Sequence, residues 1–163
     1  MSRTASRTFA WAVIGTSILL SAAPVAAGSY RYITRTGNDA VFLDEQSINR
    51  SSTSVAYWII QAAEVPTAKY SYYLMRQTID CARQRTRPTD MSVYNVAGNR
   101  IASDSTGGDE GNIEPGTIDH TLYMAVCRDS IDEHPLLDAA SPFELVAHWR
   151  REIRRQKPRG KQH

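Results

Sequence analysis

Between positions 30 and 103 apolar residues recur mostly at every second position, the period of a strand whose two faces meet different surroundings. Tyr30 to Thr36 alternates bulky and polar residues, and Val41-Phe42-Leu43 is a short apolar run closed by Asp44. With Gly37-Asn38-Asp39 between them, these predict two strands and a turn. Ser54 to Ala63 carries Val55, Tyr57, Trp58, Ile59 and Ile60. It is too short, and too rich in β-branched and aromatic residues, for a helix, and predicts a central strand. From Lys69 to Asp80, Tyr70, Tyr72 and Leu74 share one face while Tyr73, Met75 and Ile79 share the other, so both faces of that strand should be covered. Ser92 to Val96 and Arg100 to Ser103 flank Ala97-Gly98-Asn99, a loop of hairpin length. Asp104 to Asn112 is mostly Gly, Asp, Ser and Thr and predicts a surface loop.

Downstream the period becomes helical. Ile118 to Arg128 predicts a helix with Thr117 as its cap, Asp119 in the first turn and Arg128 in the last; Ile118, Leu122, Ala125 and Val126 form its apolar stripe. Ser141-Pro142-Phe143-Glu144 starts a second helix, with Ser as cap, Pro at the first helical position and Glu placed for a capping box. It should run to about Arg155, with Phe143, Val146, Trp149 and Ile153 on an apolar face and Arg150, Arg151, Arg154 and Arg155 around the rest. The whole reads as α+β: a small antiparallel sheet, a helix behind it and an additional amphipathic helix.

The first 27 residues change the compartment. Arg3 and Arg7 precede an apolar run from Phe9 to Leu20 and the small-residue stretch Ala22 to Ala27, which is the pattern of a secretory leader cleaved after Ala27. The run is shorter than the roughly 20 residues of a membrane span. No cysteine stands at the cleavage point to accept a lipid, so a periplasmic or secreted protein is expected. In an oxidising compartment the two cysteines of the chain, Cys81 and Cys127, should form one disulfide. That bond would tie the end of the first helix to the end of the strand from Lys69. Residues 28–128 are expected to form one domain and 129–163 a C-terminal extension.

Charge is unevenly spread. The formal net charge of +2 falls to zero without Arg3 and Arg7, yet residues 150–163 hold seven cationic side chains against Glu152 alone, leaving positions 28–149 at −6. Such separation favours an acidic partner for the tail, contact of the tail with its own body, or peripheral contact with a membrane. Trp149, Arg150, Arg151, Arg154 and Arg155 are therefore candidate binding residues. Arg83, Arg85 and Arg87, alternating with Gln84 and Thr86, would form a cationic row on a strand, read either as solvent-facing decoration or as a ligand contact. Nucleic acid is not expected as a partner of an exported chain without a nucleic-acid fold.

No arrangement specifies a reaction, a metal or a cofactor. His120, His134, His148 and His163 fall on separate segments, and none pairs with another at helix-turn spacing. Asp132-Glu133-His134 reads as a solvated loop before Pro135. Gly107-Gly108-Asp109-Glu110-Gly111 resembles the diguanylate cyclase signature, but its last residue is wrong and the chain is too short for that domain; turn chemistry explains it.

One ordered set of segments is similar to a known family. Asp44 to Arg50 after Val41-Phe42-Leu43, Val55 to Trp58, Asp80-Cys81, the three arginines from Arg83, Tyr94 to Asn99, and Ile113 to Thr117 leading to Val126-Cys127 resemble the bacterial surface-adhesin protein E family over residues 30–128. The resemblance implies a curved antiparallel sheet with a disulfide-tied helix, an envelope or secreted location, and adhesion to host matrix proteins. The functional expectation is a noncatalytic adhesin-like binding module for a protein or polyanionic surface. A structural accessory of an envelope or secretion complex, and an enzyme of unknown reaction, are the alternatives. Pairing of exposed strand edges makes a homodimer compatible with the pattern.

Overall fold

Within residues 28–67 and 69–156, which the computed structural model describes, the period-two pattern becomes one eight-stranded sheet. The leader expected over residues 1–27 and the tail end with Lys157, Arg159 and Lys161 lie outside the described residues. The strands are β1 (Gly28–Thr36), β2 (Asp39–Arg50), β3 (Ser54–Thr67), β4 (Tyr70–Asp80), β5 (Arg85–Tyr94), β6 (Arg100–Asp104), β7 (Gly111–Asn112) and β8 (Leu136–Ala139). Helix α1 (Ile118–Cys127) precedes β8 and helix α2 (Pro142–Gln156) follows it. The first six strands form an antiparallel meander, β8 extends the sheet beyond β1, and β7 pairs beside β5.

Alternation along each strand feeds two cores. Val41, Leu43, Val55, Tyr57, Ile59 and Ile79 point to the face covered by Leu122, Tyr123, Ala125 and Val126 of α1. Tyr30, Phe42, Ile60, Ala62 and Tyr72 point to the opposite face, under Leu145, Val146 and Trp149 of α2. Burial on both sides explains why β3 reads as a nearly continuous apolar run. Trp149 meets Phe42 edge-on at 5.8 Å between ring centroids.

The strand boundaries differ from those expected. β2 does not stop at Asp44: its pairing with β3 breaks between Asp44 and Asn49 and then resumes. Ser47 spans the break, its hydroxyl accepting from the Trp58 backbone N–H at 2.8 Å and donating to the Asp44 carbonyl at 2.6 Å. β5 begins at Arg85 rather than Ser92. The described part of the C-terminal extension is built into the same body, because β8 pairs with β1 from Gly28↔Ala139 to Arg31↔Leu136. Arg31 reinforces that junction by donating to Glu45 (2.8 Å), Asp132 (2.9 Å) and the His134 carbonyl (3.1 Å).

Helix α1 starts as its sequence requires, the Thr117 hydroxyl accepting from His120 N–H at 3.2 Å. It ends at Cys127, one residue earlier than expected, and Arg50 donates to the Val126 carbonyl that the helix end leaves open. Cys81 and Cys127 are disulfide-bonded, with Cα atoms 5.7 Å apart. Cys81 follows β4, an interior strand, so the clamp sits at the end of the sheet's middle rather than at its edge.

Helix α2 begins with Ser141 accepting from Glu144 N–H at 3.3 Å. Arg150, expected on the solvated basic face, is 9% exposed and points into the sheet. The reason is a second break: β3–β4 pairing runs to Ala62↔Tyr72 and resumes only at Thr67↔Tyr70. Arg150 donates twice to the Ala63 carbonyl (2.8 and 2.6 Å), to the Ser71 carbonyl (2.8 Å) and to the Ser71 hydroxyl (3.0 Å). Buried acceptors left unpaired would be costly, and one guanidinium satisfies three of them. Burial first, then neighbouring Arg154, lowers the Arg150 pKa from its ordinary value.

Replacing Arg150 with Met should lower the unfolding free energy by about 3 kcal/mol, because the acceptors stay buried without donors. Arg154→Met should change it by less than about 0.5 kcal/mol. Equal effects of the two in urea denaturation would contradict the anchoring role. The disulfide closes a loop between residues 46 positions apart, so a Cys81→Ala, Cys127→Ala variant should lose about 4 kcal/mol in the same measurement.

Candidate functional site

The chain's two cationic clusters meet different fates. Arg83 lies in the turn between β4 and β5, and Gln84 has a φ of 52°, so the three arginines do not form one strand row. Arg83 donates to Asp80 at 2.8 Å and to Glu110 at 3.0 Å. Arg85 pairs with Glu110 at 3.2 Å and donates to its backbone carbonyl at 3.2 Å. Arg87 donates to the Gly108 carbonyl at 3.1 Å. Hydrogen bonds from the Arg83 backbone and side chain hold the Asp80 carboxyl below its ordinary value. These arginines thus lash the Gly-rich loop of residues 105–111 onto the sheet, and the Gly107–Gly111 segment supplies their acceptors.

The cations of α2 are freer. Arg155 pairs with Glu152 at 2.6 Å, one turn back on the helix. Arg151 and Arg154 are exposed and make no ion pair or side-chain hydrogen bond among the described residues. Both line a groove of about 310 Å³ with Pro66, Val96, Phe143 and Ala147. An adjoining groove adds Val65 and Ile153 and shares Pro66 and Arg154. Val65 is 72% exposed, Val96 51% and Phe143 42%. Phe143 lies against Gly98, whose φ of +79° suits the turn after β5 and where a Cβ would come within 2.8 Å of the ring. Of the helix residues singled out from sequence, Trp149 and Arg150 therefore belong to the interior, while Arg151, Arg154 and Arg155 face outward.

Sequence reasoning missed the apolar rim of this groove. Val65 falls beyond Ala63, where the alternation ends, and Val96 lies in the turn after β5 rather than in the strand that Ser92 to Val96 predicts. A valine beside Pro66 at the end of a strand was the available signal, since proline favours a strand's edge or end.

Beneath α1 lies a polar chain within the core. The Tyr57 hydroxyl donates to Gln77 at 3.1 Å, and the Gln77 amide donates to Asp119 at 3.4 Å. Burial raises the Asp119 carboxyl, against the Gln77 hydrogen bond, and raises the Tyr57 phenol well above its ordinary value, with Asp119 adding to it. Among the tyrosines, Tyr30 and Tyr72 are core, and Tyr72 stacks on Tyr94 at 4.8 Å between centroids. Burial pushes Tyr72 up to about 12, helped by Tyr94 and Tyr30, and pushes Tyr73 up to about 12, helped by Asp39 and Asp119. Among the described residues no group of three or more His, Cys, Asp and Glu is placed to hold a metal ion. No described helix is long and apolar enough to cross a membrane.

The fold defines a small disulfide-clamped α+β domain, and the outer face of α2 presents cationic and apolar side chains. Residues 30–128 match the model of the surface-adhesin protein E family, and the chain belongs to that family. Two solved structures share the fold. Haemophilus influenzae protein E is 14% identical with a TM-score of 0.50, the match covering 61% of this chain and 84% of that one. Its selenomethionine form gives 14% identity and a TM-score of 0.51, covering 61% and 86%. No curated protein matches the chain.

The raised phenols fix how the fold responds to base. A tyrosine at about 12 in the folded state and about 10 when unfolded stabilises the fold below pH 10, and that contribution is lost as the pH climbs through 12. Phenolate absorbance should therefore grow together with loss of far-ultraviolet circular dichroism above pH 10. Complete tyrosine ionisation near pH 10 in a protein that keeps its dichroism would contradict the burial of these rings.

Proposed function

We propose that this chain is an exported, noncatalytic binding module of the bacterial envelope, acting as an adhesin, and that the outer face of α2 meets an anionic partner. One observation carries the choice of surface: Arg151 and Arg154 have no partner among the described residues, whereas Arg83, Arg85 and Arg87 are each engaged by the loop they hold. Family membership supports adhesion, and the leader pattern of residues 1–27 supports export with cleavage after Ala27 and no lipid at that point. A structural accessory of an envelope or secretion complex would need the apolar stripe of the last helix as its docking face. Val146 and Trp149 of that stripe are buried against the sheet, which leaves Phe143 as its exposed end.

The surface is tested by substitution, because truncating α2 would uncover Tyr30, Phe42, Ile60 and Tyr72. Retention on immobilised heparin and on a panel of purified matrix proteins should weaken with salt. An Arg151→Glu, Arg154→Glu variant should lose roughly tenfold in affinity, the loss of two exposed ion pairs of about 0.7 kcal/mol each. Arg87→Gln should bind as the unaltered chain does. Retention indifferent to salt, or lost equally in both variants, would overturn the assignment.

A further inference from the structure

Three of the seven large apolar side chains exposed among the described residues gather on one face: Val65, Val96 and Phe143. They arrive from three separate element ends, the last residues of β3, the turn after β5 and the start of α2. Two adjoining grooves join them through Pro66 and the α2 stripe of Phe143, Ala147, Arg151 and Arg154. Two of the apolar ends have a cation close by in sequence, Lys69 in the β3–β4 turn and Arg100 at the start of β6, both exposed. No carboxylate lines the first groove. In the second, Glu64 is bonded to Arg35. The exposed Glu144 and Asp138 border a third groove with Phe143, Ala147, His148 and Arg151, so carboxylates flank this face on one side.

We propose that this face seats the protein on a bilayer containing anionic phospholipid, with Val65, Val96 and Phe143 entering the headgroup layer and Arg151 and Arg154 binding phosphates. The inference rests on the reading of the outer α2 face as the contact surface and names its occupant. Apolar side chains outermost with cations beside them, and no carboxylate lining the groove between Pro66, Val96 and Arg154, match the layering of an anionic membrane interface, where apolar groups sit below the phosphates and basic groups level with them. The segment that follows α2 in sequence, with Lys157, Arg159 and Lys161, adds charge of the same sign.

Flotation of the full chain with vesicles tests this. Binding is expected to phosphatidylcholine vesicles containing phosphatidylglycerol, with little to phosphatidylcholine alone, and should fall with salt. A basic residue near such a surface is worth about a fivefold factor, so Arg151→Gln with Arg154→Gln should weaken partitioning roughly 30-fold. Val65→Ser with Val96→Ser, at exposed positions that leave thermal unfolding unchanged, should weaken it roughly tenfold. Vesicle binding that ignores the valine pair would overturn insertion of the apolar ends. Binding to heparin or matrix proteins through the arginines without binding to vesicles would overturn the lipid assignment and leave the contact surface standing. Failure of every probe would overturn both.

Discussion

Arg150 holds the second half of the molecule together. Its guanidinium sits where the β3–β4 ladder parts, and the Ala63 and Ser71 acceptors it satisfies belong to two different strands. A helix fastened in this way has one depth and one rotation on the sheet. Trp149 then necessarily meets Phe42, and Arg151 and Arg154 necessarily face water. The charge is costly to bury, but the break in the sheet gives it oxygen atoms enough to replace its hydration.

The two helices are thus secured by unlike means. On one face α1 is tied covalently to the end of β4, with its last carbonyls closed by Arg50 and by turns of the backbone. On the other face α2 is held by directional hydrogen bonds and by apolar packing. A covalent tie restricts the unfolded chain and tolerates sliding of the surfaces it joins, whereas the guanidinium fixes register. Only the second fastening sets the geometry of the exposed groove, because the valines at the ends of β3 and β5 are placed by the strands that Arg150 bridges or borders.

Much of this was legible in the chain. Alternation located β1, β3 and β4, capping residues located the starts of both helices, and two cysteines in an exported pattern gave the disulfide. What escaped were features in which side chains replace backbone pairing. Ser47 looks like a strand terminator until Trp58 N–H is seen to need its hydroxyl. Arg150 is one cation among seven in its segment, and helical spacing places it beside the apolar stripe without revealing unpaired carbonyls opposite. Leu136 to Ala139 is too short to announce β8, which exists because β1 offers it an edge. The arginines from Arg83 alternate as a strand would, but the left-handed Gln84 that breaks the row follows from the disulfide-bearing turn and leaves no mark in composition.

The lashed loop has a consequence for solubility. β5 is paired on its outer side by β7 at Arg85 and Thr86 and by β6 from Met91 onward, leaving a gap between. Pro88 stands in that gap with no N–H to offer, and its carbonyl is already taken by Gly108 N–H at 2.9 Å. A foreign strand approaching there finds neither donor nor acceptor at that position. The sheet therefore presents one fewer open seam for fibrillar stacking at high concentration.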